Sequence, residues 1–268
     1  MMGPATSVRR LLGATALATV VTVTLALVKP HSAFGKVLTG PAPVLGFTLL
    51  KVLLLGGAAA WAFSARDRLE PGHPARWPWG LLAAGFAGYV AGHVALGIEQ
   101  LAYAAPPFPF VSDAFFLPAA LALTVAQFGF LGAYRSSGFF SDQGAMRAAA
   151  IAVAVAAGVT AVVVATTVRL PVPWPERATD LGYAVLDLML LVPLVLLVRL
   201  ARRLSGPVGR VWHLLLGGFV VLAVADVSIG YLDALGVGPS YLLSQAPFIV
   251  AYGLVAAGSR LQLALLSE

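Results

Sequence analysis

The chain has 268 residues, of which 60% are hydrophobic and only 10% charged, against roughly 25% charged in an ordinary soluble domain. Its net charge of +6 comes from 14 Arg and 3 Lys spread over short loops, a pattern that suits topology at an anionic membrane face and not a nucleic-acid surface. With no cysteine, disulfides, thiolate metal sites, covalent c-type haem and cysteine nucleophiles are all excluded.

The apolar residues fall into runs of about 20, the length that crosses a hydrocarbon core of roughly 30 Å. In chain order the predicted spans are 11–28, 42–64, 79–104, 113–135, 146–168, 180–200, 212–235 and 241–262. The expected fold class is therefore all-α, a polytopic membrane protein of about eight transmembrane helices in a single membrane domain, 1–268. Arg9 and Arg10 before the first apolar run resemble a signal peptide. That run is too long for a typical h-region and lacks a clean cleavage site, so it is read as a retained helix. Twelve of the 17 Lys and Arg lie at the N-terminus, in or beside the second, fourth and sixth loops, or near the C-terminus, against four in or beside the other loops. This bias places both termini in the cytoplasm, in a bacterial inner membrane. Trp79 and Trp212, each opening a span on that side, are expected at the interface, and Pro118 and Pro193 are expected to kink their helices.

The third and seventh spans match at an offset of 133: Trp79-Gly-Leu-Leu-Ala-Ala-Gly-Phe86 against Trp212-His-Leu-Leu-Leu-Gly-Gly-Phe219. His93 then falls on Asp226, Gly97 on Gly230 and Gln100 on Asp233. The next pair of spans continues the match at an offset of 132, with Asp113-Ala-Phe-Phe116 against Gln245-Ala-Pro-Phe248. The expectation is a duplicated four-helix unit, 1–140 and 141–268, related by a parallel pseudo-twofold axis.

A charge near the bilayer centre costs roughly 2.5–3.5 kcal/mol on insertion scales, so Lys51, His93, Glu99, Asp187 and Asp226 each require a protein-facing or watery location. Asp113, Asp180 and Asp233 lie nearer the outer ends. His93 with Gln100, Asp180 with Asp187 and Asp226 with Asp233 are each spaced by seven, two helical turns, so each pair shares one helix face. Gly97 and Gly230 between them would let a neighbouring helix approach. His93, Glu99, Gln100, Asp113, Asp180, Asp187, Asp226 and Asp233 are accordingly the candidate ligand-binding residues of an outward-facing polar cavity. Each of them also has a plainer reading as an interhelical packing contact worth about 1 kcal/mol. Bis-histidine haem finds only one deep histidine, a Schiff base finds only Lys51, and H-E-x-x-H and G-x-S-x-G are absent. Neither a catalytic residue, a metal nor a cofactor is assigned.

The segment Ala91–Leu123, with Gly-His-Val-Ala-Leu-Gly-Ile-Glu99 and then Pro106-Pro-Phe-Pro-Phe-Val-Ser-Asp113-Ala-Phe-Phe, resembles the polytopic sensor regions that precede bacterial diguanylate cyclases and histidine kinases. Asp180-Leu-Gly-Tyr-Ala-Val-Leu-Asp187, Leu222–Asp226 and Tyr231 extend the likeness over residues 79–262. His93 stands where those regions usually carry Asp, and no catalytic domain follows Glu268. The resemblance implies a non-enzymatic signal-transduction sensor. Its partners would be the lipid bilayer, a small-molecule, lipid or ion ligand, and a separate cytoplasmic signalling protein, with no nucleic acid. Two alternatives stand beside it: a small transporter or channel for a cation, proton or solute, and an intramembrane lipid hydrolase using Asp187 and Asp226 as acid and base.

Overall fold

A computed structural model describes residues 4–26, 41–103, 108–135, 173–204, 206–234 and 241–267, together with scattered positions between 144 and 168. The described residues form helices and turns, with no strand among them. Seven helices have defined bounds: α1 (Pro4–Ala26), α2 (Pro41–Arg68), α3 (Arg76–Ala102), α4 (Asp113–Arg135), α5 (Trp174–Arg203), α6 (Gly206–Ala234) and α7 (Tyr241–Leu265). The described positions from 144 to 165 are helical too, and all but the first lie inside the predicted span 146–168.

Helix is the only conformation open to such segments, because a lone apolar stretch in lipid must satisfy its backbone groups internally. Six of the helices (α1–α4, α6 and α7) are long and apolar enough to cross a membrane, and the chain is a multi-pass helical membrane protein. Observed helices run past several predicted spans by up to about two turns, since charged residues such as Arg66 and Arg203 prolong a helix beyond its apolar part. Between α5 and α6 the chain reverses within a few residues, and Gly206 takes φ +72°, a left-handed conformation that side chains disfavour. Pro118, Pro193 and Pro247 stand inside α4, α5 and α7, which run on through them.

Helices α2 to α7 close into a six-membered ring: each packs on the next, and α7 returns to α2. Helix α1 lies outside the ring against α7, where Thr15 sits over Gly253 so closely that a Cβ there would come within 2.3 Å. One end of the bundle, here the basic end, carries Arg66, Arg68, Arg76, Arg202, Arg203 and Arg210; the other, the acidic end, carries Glu99 and Asp113. At the basic end an Arg68 guanidinium N–H donates to the Ser267 hydroxyl, tying α2 to the tail of α7.

The centre of the ring is filled by aromatic rings from helices that are not neighbours. Phe86 of α3 stacks on Phe219 of α6, with centroids 6.4 Å apart and planes 16° from parallel. Nearer the basic end Phe130 of α4 meets both Trp79 and Trp212 edge-to-face at 5.4 and 4.9 Å. Trp212 Nε1–H donates to the Tyr134 hydroxyl at 3.1 Å. This corrects the interfacial placement of the two tryptophans: Trp79 is 2% and Trp212 4% exposed. Trp79, Leu82 and Phe86 follow one another at i, i+3 and i+7 on the buried face of α3, and that periodicity outweighs the indole's preference for the interface.

Close approach of the helices depends on two glycines. A Cβ on Gly85 would lie 2.5 Å from Leu123 Cδ2 and 3.1 Å from the Ala119 carbonyl oxygen. A Cβ on Gly218 would lie 2.6 Å from Val255 Cγ1 and 2.8 Å from the Ala251 carbonyl oxygen. The glycines differ by 133 in number, and each partner pair by 132.

Candidate functional site

Polar side chains gather inside the ring between the Phe86–Phe219 stack and the acidic end. His93 of α3 is buried, and its Nε2 shares a hydrogen bond of 2.9 Å with the Tyr252 hydroxyl of α7. Rings of Phe116, Tyr252 and Tyr89 stand 5.0, 5.4 and 6.4 Å from the imidazole. Lys51 of α2 is only 6% exposed, with Nζ 5.5 Å from the centroid of Phe248, a cation–π distance. His93 and Asp226 of α6 both lie within its electrostatic reach. The Asp226 carboxylate also lies within electrostatic reach of Tyr252 and of Tyr183 of α5, and the Tyr89 ring stands 6.4 Å from that of Tyr252. Tyr183 donates its hydroxyl proton to Asp113 Oδ1 of α4 at 2.6 Å. Each of the six ring helices thus supplies a member of one connected group.

Two carboxylates at the acidic end are engaged by backbone. Glu99 is buried at the end of α3, and its Oε1 and Oε2 accept the N–H groups of Val111 and Ser112 at 2.6 and 3.3 Å. Asp113 Oδ2 accepts the Phe110 N–H at 2.7 Å, closing the first turn of α4. These bonds satisfy donors that a helix start leaves free and place negative charge where the helix dipole favours it. The acidic residue and the Pro-rich loop of the sensor-like motif are therefore joined physically: the carboxylate holds the loop.

The remaining candidates are dispersed. Gln100 is half-buried near the end of α3, and Asp180 is exposed on α5 beside Glu176 and Asp113. Asp187 and Asp233 lie on α5 and α6, with side chains outside the described residues, as is Gly230. Gly97 does admit a neighbour, Thr48 of α2, whose Oγ1 would be 2.9 Å from an added Cβ. The structure adds Lys51, Tyr89, Tyr183 and Tyr252 to the predicted set. Tyr183 was open to detection, standing between Asp180 and Asp187 in the polar stretch of α5, whereas Tyr252 carries no local signal.

Two voids adjoin the group. One is bounded by Phe86, Tyr89, Phe219 and Tyr252 among others, and the second by Tyr89, Thr124, Leu190 and Asp226. Each has room for about one water molecule. Among the described residues, no three histidines and carboxylates come together as a metal site. Compared with protein-family models, curated proteins and solved structures, the chain matches none.

Proposed function

We propose that the chain is a membrane sensor module whose input is a proton or a small cation taken up at the Lys51–His93–Asp226 group. The observation that carries this reading is that all six ring helices place a polar side chain in this region, with His93 hydrogen-bonded to Tyr252, Tyr183 to Asp113, and Lys51 buried over Phe248. A change of charge at one member alters the interaction free energy along every helix of the ring, which a sensor requires in order to bias a packing equilibrium. The water-sized voids favour a proton or bare cation over a larger ligand. Transport is the less favoured reading, because Phe86, Phe219, Trp79, Phe130 and Trp212 fill the path toward the basic end.

In the same proposal the basic end faces the cytoplasm of a bacterium, both termini lie there, and a separate signalling protein reads the α7 end. The positive-inside bias supports this orientation. A duplication underlies the ring: the paired environments of Gly85 and Gly218 and the Phe86–Phe219 stack support it. A half-turn of the ring would carry α2, α3 and α4 onto α5, α6 and α7.

The test is thermal unfolding of the purified full chain in detergent, from about pH 4 to 9, a range wide enough to take in ionisable groups displaced by burial, with sodium, potassium or calcium chloride added in parallel. The wild-type Tm should move with pH or with one of the cations. The H93L/D226L variant and the gentler H93Q/D226N variant should both flatten that response. A flat wild-type profile under every condition sinks the reading.

A further inference from the structure

We infer that Gln127 of α4 and Ser259 of α7 form a second polar site on the bundle axis, and that this site binds water. Gln127 is 1% exposed and Ser259 is fully buried. Neither the amide nitrogen and oxygen of Gln127 nor the hydroxyl of Ser259 has a hydrogen-bond partner among the described residues. Leaving such groups dry costs roughly 2–7 kcal/mol for an amide or hydroxyl moved to an apolar medium. The fold has the means to avoid that cost.

The two side chains come from helices on opposite sides of the ring, and the register of those helices brings them to one layer. Leu123 of α4 lies over Gly85, Val255 of α7 lies over Gly218, and both border the void beside Phe86 and Phe219. Gln127 and Ser259 each follow by four residues, one turn further toward the basic end on the same helix faces. Ser259 is 132 residues from Gln127, the spacing that also separates Leu123 from Val255. The neighbouring Gly258 packs on Leu215, which fixes the depth of this layer between Trp212 and Phe219. The site is therefore enclosed, with the Phe86–Phe219 stack on one side and the Trp79–Phe130–Trp212 group on the other.

The occupant must offer both donors and acceptors, since the amide presents one of each kind and the hydroxyl presents both. Water is the smallest species that does so, and buried waters typically make two to four such bonds, an order of magnitude set by survey. This inference does not depend on the sensor reading, because neither residue belongs to the Lys51–His93–Asp226 group.

Hydroxyl-radical footprinting by X-ray radiolysis of the full chain in detergent tests it, because a bound water generates the radical beside the residues it touches. Leu82 and Leu215, which border neither of the two voids, should be oxidised well above Ile249, which is equally buried but lies away from the layer. The excess should disappear in Q127L/S259A and fall partway in S259A, a one-atom deletion chosen to preserve folding. Background labelling in the wild type, or excess labelling that survives Q127L/S259A, overturns the proposal. So does a clear rise in Tm for Q127L, the signature of relieving a dry, unpaired amide.

Discussion

The two halves of the bundle are built on opposite principles. Toward the acidic end the ring is joined by directional polar contacts, Glu99 to its loop, Asp113 to Tyr183 and His93 to Tyr252. Toward the basic end it is joined by ring edges and faces, Trp79, Phe130, Trp212, Phe86 and Phe219. In lipid there is little hydrophobic drive between helices, so packing and hydrogen bonds must hold them together. The aromatic half depends on shape and resists small shifts. The polar half depends on charge and responds when charge changes. The difference teaches that shape-dependent and charge-dependent contacts are assigned to separate depths of one bundle.

That division can be broken most severely in the aromatic half. Replacing Phe130 with Ala removes the ring that joins both tryptophans and should cost about 2–4 kcal/mol, somewhat under the soluble-protein range because lipid also solvates apolar surface. Reversible unfolding in mixed micelles measures it, and a loss below 1 kcal/mol, roughly the size of one membrane hydrogen bond, would count against the aromatic layer as the main clasp. Glycine substitution is next in size. G218A should cost about 1–3 kcal/mol by overpacking, and more than G85A. The atoms crowding Gly218 include backbone of Ala251 and Val255, whereas the closest atoms to Gly85 belong to the flexible end of Leu123. Equal costs, or the reverse order, would undo that distinction. The smallest stability effect belongs to the polar half: Y252F should cost about 0.6–1.7 kcal/mol, the measured span of membrane side-chain hydrogen bonds. Its effect on the pH or cation response of Tm should nevertheless exceed that of F130A, which sharpens the comparison directly.

How much of this was legible depended on whether the information was local. Hydropathy found the six described helices that are long and apolar enough to cross a membrane, and the α4 boundaries at Asp113 and Arg135 coincide with those expected, because a polar residue marks each end. The expense of intramembrane charge picked out His93 and Asp226, which the structure brings into one group. It also picked out Glu99 and Asp113, whose backbone duties at residues 110–112 depend on how the loop folds back, something composition does not encode. Tyr252 escaped notice because its partner His93 is 159 residues away and a tyrosine in an apolar run looks like packing. Lys51 was noticed and set aside as a lone lysine; only the closure of α2 onto α7 reveals its place over Phe248.

The pairing of Phe86 with Phe219 has a further consequence. If the two halves descend from one gene, the ancestral protein was a symmetric pair in which this phenylalanine met its own copy across the axis. In such a pair, residue 93 and its counterpart 226 would have been the same amino acid, two imidazoles or two carboxylates with like charge confined together. Joining two copies into one chain would release that restriction. It would allow a base to stand on one side of the axis and an acid on the other, so asymmetry at the centre is what such a fusion would make heritable.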